Sequence, residues 1–505
     1  MIPCIPKDDC IQEVNMSLST QNSAGAQTKR VAQVKSQSIV EIRFSGREAG
    51  EIVAVYPQVS LTSCEAGDGR VTYGGRLICT VVYADEDGKL CRIQKGAEFS
   101  HFADDSSIVP AANVLCTLSC EKTQVKRDGS SYLLASVIGA EISVYATSER
   151  TFLTSAEGAV TLTESKKLYS AVTFSGESEV EDDFDCNAED VLIPAVSVLV
   201  TDCNVRAGMA EIKGEIYLSV LAVREGKPVC FDRIVPFKSE ITCEDALLAR
   251  KAVCHAEVKE VSVEARVDEE RGKCGVDAVI GLTFSGVYYD EEETQLVLDA
   301  FSTENELNLN FCEESASPCT EIKVFTERVS GPCATKAKLD YGCALLAAAT
   351  PKAEFVRSEN GLEGSVSATL LYEQNGEIHS TEVNLPFATE LHGVQCLSGE
   401  IGVAVCGVNI RQRAEGECEA EAVLKISVFD SETCSVRYVT EITEAEKLKL
   451  SGSAISVFIP AEGDDLWSMA KKLLQSPDEI KATNPELTFP LTGNERILVF
   501  RGKSQ

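Results

Sequence analysis

Residues 364–372 read GSVSATLLY and run on into EQNGEI (373–378) and LPFATEL (385–391). Apolar residues alternate up to Asn375-Gly376, where a two-residue X-Gly turn supplies the positive φ that suits strand twist, so the stretch predicts strand, tight turn, strand. The same arrangement occurs twice upstream. GRLICTVVY (75–83) leads into ADEDGKL (84–90) and GAEFSHF (96–102), and GEIYLSVLA (214–222) leads into VREGKP (223–228) and VPFKSEI (235–241). The turns in these copies are expected at Asp87-Gly88 and Glu225-Gly226. A second alternating stretch follows each copy: LLASVIGAEISVYAT (133–147), CGVDAVIGLTFSGVYYD (274–290) and AEAVLKISVFD (420–430), with Val144, Val287 and Val428 in equivalent places. Gly75, Gly214 and Gly364 are separated by 139 and 150 residues, which is the size of a domain and too long for a solenoid unit.

Each copy is rich in Val, Ile, Thr and Tyr in short runs and carries further turns at Asp68-Gly69, Asp128-Gly129 and Asn360-Gly361. The expected fold is therefore mainly β: three repeated antiparallel β sandwich or barrel domains, followed by a small α+β module. The boundaries are an N-terminal segment 1–30, β domains 31–155, 160–300 and 315–440, and the module at 453–501. The Gly, Tyr and Pro-Phe positions of the repeat keep step with the strand period, so they are read as fold determinants and not as a ligand box. The acidic run GESEVEDDFDC (176–186) is read as a solvated loop or linker, and Asp85-Glu86-Asp87-Gly88 as a turn, because it lacks the ligand spacing of a calcium loop.

Composition narrows the function. Among 505 residues, 47 Lys and Arg against 79 Asp and Glu leave a net charge of −32, which repels phosphate backbones and anionic lipid, so no nucleic-acid partner is expected. No apolar run reaches the length of a membrane span. The start, MIPCIPKDDCIQEVNM, lacks the basic and apolar regions of a signal peptide, so the expectation is a soluble, non-exported chain in a reducing compartment. The cysteines number 21, an odd count in a long chain, and several, including Cys79, Cys254 and Cys343, replace Val or Ala in apolar runs as small buried hydrophobes. Cys116 and Cys120 have no second half for a zinc site, and His101, His255, His379 and His392 form no metal or catalytic motif. No metal, cofactor or catalytic residue is expected.

From Ile455 the period changes. ISVFIP (455–460) alternates as a strand, a Gly463-Asp464-Asp465 turn follows, and Leu466, Met469, Ala470 and Leu473 fall at helical spacing with Asp464 or Asp465 as cap. Ser476-Pro477-Asp478-Glu479 is a capping box that opens a second short helix ending at Asn484-Pro485, and RILVF (496–500) closes as a strand. The order is βααβ. Trp467, the only tryptophan, is read as a core residue and not as a sugar platform.

This module, with GDDLWSMAKKL followed by SPDEIKATNPEL, resembles the LysM family, whose members bind N-acetylglucosamine-containing glycans. The resemblance implies a groove between the loop after the first strand and the loop after the second helix, here Gly463, Asp464, Asp465 and Leu466 facing Asn484, Pro485, Glu486 and Leu487. Glycan-binding members carry Thr or Ser where this chain has Asp465, an acceptor-only carboxylate, which weakens the case for glycan. The β repeats resemble the SPOCS domain of sporulation proteins in spore-forming Firmicutes through Gly75, Gly214 and Gly364, with Ala222 in place of the tyrosine and Glu98-Phe99 in place of Pro-Phe. Three such repeats before a LysM module resemble the clostridial coat-morphogenetic family that binds stage IV sporulation protein A, the ATPase polymerising on the forespore surface. That family implies a non-enzymatic spore-coat assembly protein in the mother-cell cytoplasm, at the forespore surface, docking through its LysM module onto the ATPase or other coat proteins. The alternatives are a cell-envelope protein binding peptidoglycan, and an enzyme such as a cell-wall hydrolase. With so many acidic residues no catalytic carboxylate dyad can be read, so the expectation is no enzyme.

Overall fold

The computed structural model describes residues 18–46, 49–244, 246, 248–268, 273–337, 339–340, 343–394, 400–414, 417–448 and 455–500. The first repeat comprises β1 (Ser19–Ser45), β2 (Glu51–Ala66), β3 (Arg70–Ala84), β4 (Leu90–Asp104), β5 (Asn113–Asp128) and β6 (Ser131–Glu157). The second comprises β7 (Val160–Asp185), β8 (Asp190–Arg206), β9 (Met209–Arg224), β10 (Lys227–Thr242), the two-residue β11 (Arg250–Lys251), β12 (Val253–Asp268) and β13 (Lys273–Phe301). The third comprises β14 (Asn305–Ala316), β15 (Cys319–Thr335), β16 (Ala344–Arg357), β17 (Gly361–Gln374), β18 (Glu377–Glu390), β19 (Ile401–Ala414), β20 (Glu417–Ser431) and β21 (Cys434–Lys447). The chain is mainly β, as its alternating runs require.

The pairing scheme repeats three times. In each repeat one sheet carries three consecutive strands, β2-β3-β4, β8-β9-β10 or β16-β17-β18, and the other pairs the first strand with the last, as β1-β6-β5 and β7-β13-β12; in the third repeat the long outer strands are each split in two, giving β14-β21 and β15-β20-β19. In the third repeat the two sheets also join through Ala334↔Asn384 and Thr335↔Val383. Residues 19–30, set apart as an N-terminal segment from sequence, are the first half of β1 and pair with β6, whereas residues 1–17 lie outside the described residues.

The shared glycine has a steric reason. Gly75, Gly214 and Gly364 sit opposite Phe99, Phe237 and Phe387 across the hairpin. They interrupt buried faces, between Tyr73 and Leu77, Ile212 and Ile216, and Leu362 and Val366. A Cβ at Gly75 or Gly214 would stand 2.5 Å from the facing Phe Cζ, so the ring lies over the glycine and fills the place a side chain would take. At Gly364 it is the neighbouring strand that leaves no room, with Glu354 O 2.1 Å from the place of a Cβ.

Two turn expectations hold and one changes. Glu225-Gly226 and Asn375-Gly376 have φ of +53°/+73° and +54°/+83° and close two-residue hairpins. In the first repeat the strands part at Ala84↔Leu90, and the wider loop is held by Asp85, whose Oδ1 accepts from Asp87 N at 3.0 Å and Lys89 N at 2.8 Å. The carboxylate substitutes for ladder bonds that a tight turn would have made. A larger correction concerns the acidic run 176–186: through Asp185 it is the second half of β7, paired residue by residue with β13. Val180 and Phe184 pack against neighbouring cores while acidic residues around them meet cations: Glu177 with Lys259, Asp182 with Arg233, and Asp183 and Asp185 with Arg266. A period of two was hidden by charge.

The repeats close on one another through two apolar layers contributed by equivalent residues. One layer joins Val53 and Ala54, Leu192 and Ile193, and Ala347 with Val82, Leu221 and Leu371. The other joins Leu153 and Ala156, Val297 and Ala300, and Val439 and Ile442. Both layers coincide with β-bulges at matching places: Val53, Leu192 and Leu346 are skipped in one set of ladders, and Thr154, Leu298 and Thr440 in the other. A bulge adds a residue, bends the strand and turns consecutive side chains toward one side. The arrangement is pseudo-threefold within a single chain.

Beside the second layer lies a buried polar cluster drawn from all three repeats. Arg150 reaches Glu314 through Nε at 3.1 Å and Nη2 at 3.0 Å and donates to Tyr169 O at 2.7 Å. Gln27 Nε2 and Tyr438 Oη donate to Glu314 at 2.9 and 2.6 Å. With every lone pair engaged, the pair is tolerable in the interior, and removing one member strands the other.

Arg150→Met is therefore expected to cost about 3–5 kcal/mol of stability, and the double change Arg150→Met/Glu314→Leu less than that single change, by denaturant unfolding. Gly214→Ala is expected to cost about 1–3 kcal/mol because its Cβ meets Leu199 O at 2.4 Å and the Phe237 ring at 2.5 Å. An unchanged unfolding midpoint for Gly214→Ala would remove the steric account of the repeat glycine.

Candidate functional site

The C-terminal module forms from β22 (Ile455–Phe458), α1 (Leu466–Leu473), α2 (Pro477–Thr483) and β23 (Ile497–Phe500), with the two strands antiparallel. The βααβ order read from sequence is the order observed. Asp465 is the N-cap of α1, accepting from Ser468 N at 2.6 Å, and Ser476 caps α2 in the expected box with Glu479. Met469, Ala470, Leu473, Ile480, Leu491, Ile497 and Val499 make the core, with Leu466 and Leu487 packed partly against it.

The residues of the expected groove are largely engaged in holding the module together. Gly463, at φ +87°, turns the chain, and its N–H donates to Leu491 O at 2.8 Å while Asp464 O accepts from Leu491 N at 2.9 Å. The first loop is thus zipped to Leu491, beyond the 484–487 turn. The Asp464 carboxylate binds Lys472 Nζ at 2.7 Å and Ala461 N at 3.0 Å, which together hold it below the ordinary carboxylate range. Asn484 is 2% exposed and bridges α2 to β23, donating to Ile480 O and Leu498 O and accepting from Leu498 N. Only Pro485 and Glu486, with Gly463 and Asp465, are open to solvent.

Trp467 is turned toward the second β repeat. Its ring meets Phe301 edge-on at 5.3 Å, its Nε1 donates to Asp299 Oδ2 at 2.9 Å, and Lys471 Nζ reaches both oxygens of Asp299 at 2.8 Å. Phe301 and Val160 enter the module's core. The tryptophan is a packing and anchoring residue, and the module is fixed to the end of β13. Sequence reasoning missed Asp299 and Phe301, since nothing local marks a strand end as a docking point.

The outer face of the module's two-stranded sheet is apolar. Ile455 and Val457 face Phe500 and Leu498 across the ladder, and Ile455, Val457, Ile459, Leu498 and Phe500 are 57, 56, 68, 42 and 49% exposed. The alternation in ISVFIP was the available signal. The core takes Phe458 partly buried, and the other face is left outward.

A second concave feature lies between the three repeats, a cleft of about 1450 Å³ bordered by β2, β5, β12, β16, β18 and β19. Backbone groups on the edges of β2, β5 and β8 are met here by side chains of other repeats. Leu118 N donates to Glu257 at 2.7 Å, Lys352 Nζ donates to Cys120 O at 3.1 Å, Ser380 Oγ donates to Val53 O, and Tyr56 Oη accepts from Val196 N at 3.0 Å. Capping of edges in this way guards against unwanted strand addition. Glu257 as a residue is half-buried at the cleft wall, but its carboxyl is packed among protein atoms, and burial pushes it up to about 7 against the pull of the Leu118 N–H.

Among the described residues no group of three or more His, Cys, Asp or Glu side chains is placed to hold a metal ion, and no helix is long and apolar enough to cross a membrane. Cys79 and Cys254 are core residues and Cys343 is half-buried; every described cysteine is a free thiol. No protein-family model, curated protein or solved structure matches the chain.

Because Glu257 is raised on folding, its contribution favours the fold at low pH and is lost as pH rises from about 4.5 through about 7. Glu257→Gln keeps an acceptor for Leu118 N, so it is expected to flatten that part of the stability profile and to gain about 1–3 kcal/mol at pH 8. Parallel profiles for the two proteins between pH 5 and 8 would show that the carboxyl titrates as in the unfolded chain.

Proposed function

We propose that this chain is a non-enzymatic assembly protein of the spore coat, whose LysM-like module docks onto a coat-morphogenetic ATPase of the stage IV sporulation protein A kind at the forespore surface. The reading places it in the mother-cell cytoplasm. The observation that carries it is the outward sheet face of Ile455, Val457, Ile459, Leu498 and Phe500, on a module anchored to the second repeat through Trp467 and Asp299. An apolar patch rimmed by polar residues is the surface of a protein contact, whereas sugar recognition uses convergent hydrogen-bonding groups and an exposed aromatic face. Here the polar groups of the expected groove serve the module's own caps and bridges, and the tryptophan is spent on packing. The exposed carboxylates of Asp465 and Glu486 in the module's loops, with the chain's net charge of −32, suit a partner that carries Lys or Arg beside an apolar anchor.

The full chain, mixed with the purified ATPase and separately with sedimented peptidoglycan, is expected to bind the ATPase alone. Val457→Ser/Leu498→Ser is expected to weaken binding at least tenfold with little salt dependence. Glu486→Lys is expected to weaken it less and in a salt-dependent way, and it is the cleaner charge probe because Asp465 caps α1. Retention on peptidoglycan without ATPase binding would move the protein to the glycan-binding class.

A further inference from the structure

In the first repeat Cys64 packs against the apolar core that holds Cys116, with the two thiols neighbours, and in the second Cys203 and Cys254 are neighbours in one core as well. The two pairs occupy the same place in the fold. Cys64 and Cys203 stand opposite Tyr73 and Ile212, each two residues before the repeat glycine, on β2 and β8. Cys116 and Cys254 stand four residues before Cys120 and Val258, where the ladders of β5 and β12 break register. The corresponding positions of the third repeat hold Arg357 and Ile401. Each pair spans strands of opposite sheets that are not hydrogen-bonded to each other, so a covalent link there would join the two halves of a sandwich.

We propose that Cys64–Cys116 and Cys203–Cys254 are cross-linking sites that oxidise to one disulfide in each of the first two repeats, stapling sheet to sheet. The oxidant is a low-molecular-weight disulfide. The Cys64 thiolate attacks one sulfur of RSSR, the RS–SR bond breaks, and the departing thiolate takes up the proton Cys64 has released. Cys116 then gives up its proton and attacks Cys64 Sγ, breaking the mixed disulfide and expelling the second thiolate, which takes that proton. Two cysteine thiols and one RSSR become one protein disulfide and two RSH.

The roles follow from the surroundings. Cys64 is half-buried, and the neighbouring Cys116 thiol lowers its pKa, so it is the group that meets the oxidant. Cys116 is 4% exposed and held protonated beside it, so it resolves the mixed disulfide from within. Cys203 and Cys254 are 0 and 1% exposed, and burial raises Cys254 strongly, so this pair reacts only when the β8–β12 edge opens. The first staple therefore forms before the second. Closing a loop of about fifty residues restricts the unfolded chain and raises Tm.

The test is to incubate the folded full chain with oxidised glutathione, block the remaining thiols with N-ethylmaleimide, digest without reductant and map linked peptides by mass spectrometry. Cys64–Cys116 peptides are expected first, Cys203–Cys254 peptides later or after oxidation during refolding, and Tm is expected to rise by about 5 °C or more. Cys64→Ser is expected to abolish only the first link. Recovery of Cys64 and Cys116 as unlinked, alkylated thiols when oxidation is complete, or of either joined to a different cysteine, would overturn the proposal.

Discussion

Everything in this architecture depends on three copies of one sandwich burying the same small set of apolar side chains against each other. A two-sheet domain of this size covers its own interior, and its outer faces are ordinarily polar. Here Val82, Leu221 and Leu371 point out of their own sandwiches and into a common layer. The bulges make that possible, because a regular strand alternates strictly and cannot send neighbouring residues such as Val53 and Ala54, or Leu192 and Ile193, to the same layer. Equivalent bulges in all three repeats mean that the closure is built into the repeat unit.

Apolar closure alone would leave strand edges facing a cleft with unpaired backbone groups. The repeats meet this need with side chains: Glu257 and Lys352 reach the edge of β5, and Ser380 and Tyr56 serve the edge of β2 and the start of β8. The Arg150–Glu314 cluster does the same for the long ribbons, fixing their rotation about one another through directional bonds that a purely apolar contact would not supply. An acidic chain tolerates its charge in part because acidic residues on strand surfaces are aligned with Lys and Arg across the ladder, as at Asp183, Asp185 and Asp277 around Arg266.

The C-terminal module inherits its position from this body. Leu298 bulges beside Asp299, and Asp299 and Phe301 at the end of β13 receive Trp467 and Lys471. Trp467 and Lys471 on α1 are engaged in that contact. The sheet side remains, and its five apolar residues are the surface on which the proposed docking rests.

The sequence by itself determined the local elements. Alternation in GSVSATLLY and its counterparts specified strands, Glu225-Gly226 and Asn375-Gly376 specified hairpins through positive φ, and the capping residues Asp465 and Ser476 marked both helix starts, because each of these effects acts between residues close in the chain. The repeat also disclosed the threefold count, and marked its glycine and phenylalanine positions as fold determinants. Where local signals conflicted with context, reading failed: the charges of 176–186 outweighed its period of two, and the carboxylate of Asp85 widened a turn expected to be tight. The tertiary structure alone decided that the three repeats share layers, that Trp467 faces Asp299, that Asp464 and Asn484 serve the module internally, and which cysteines lie thiol to thiol. Those facts depend on residues some fifty to more than a hundred positions apart, or on how loops of one module fold back on each other, and no local pattern carries the free energy of a contact whose partner is distant in sequence.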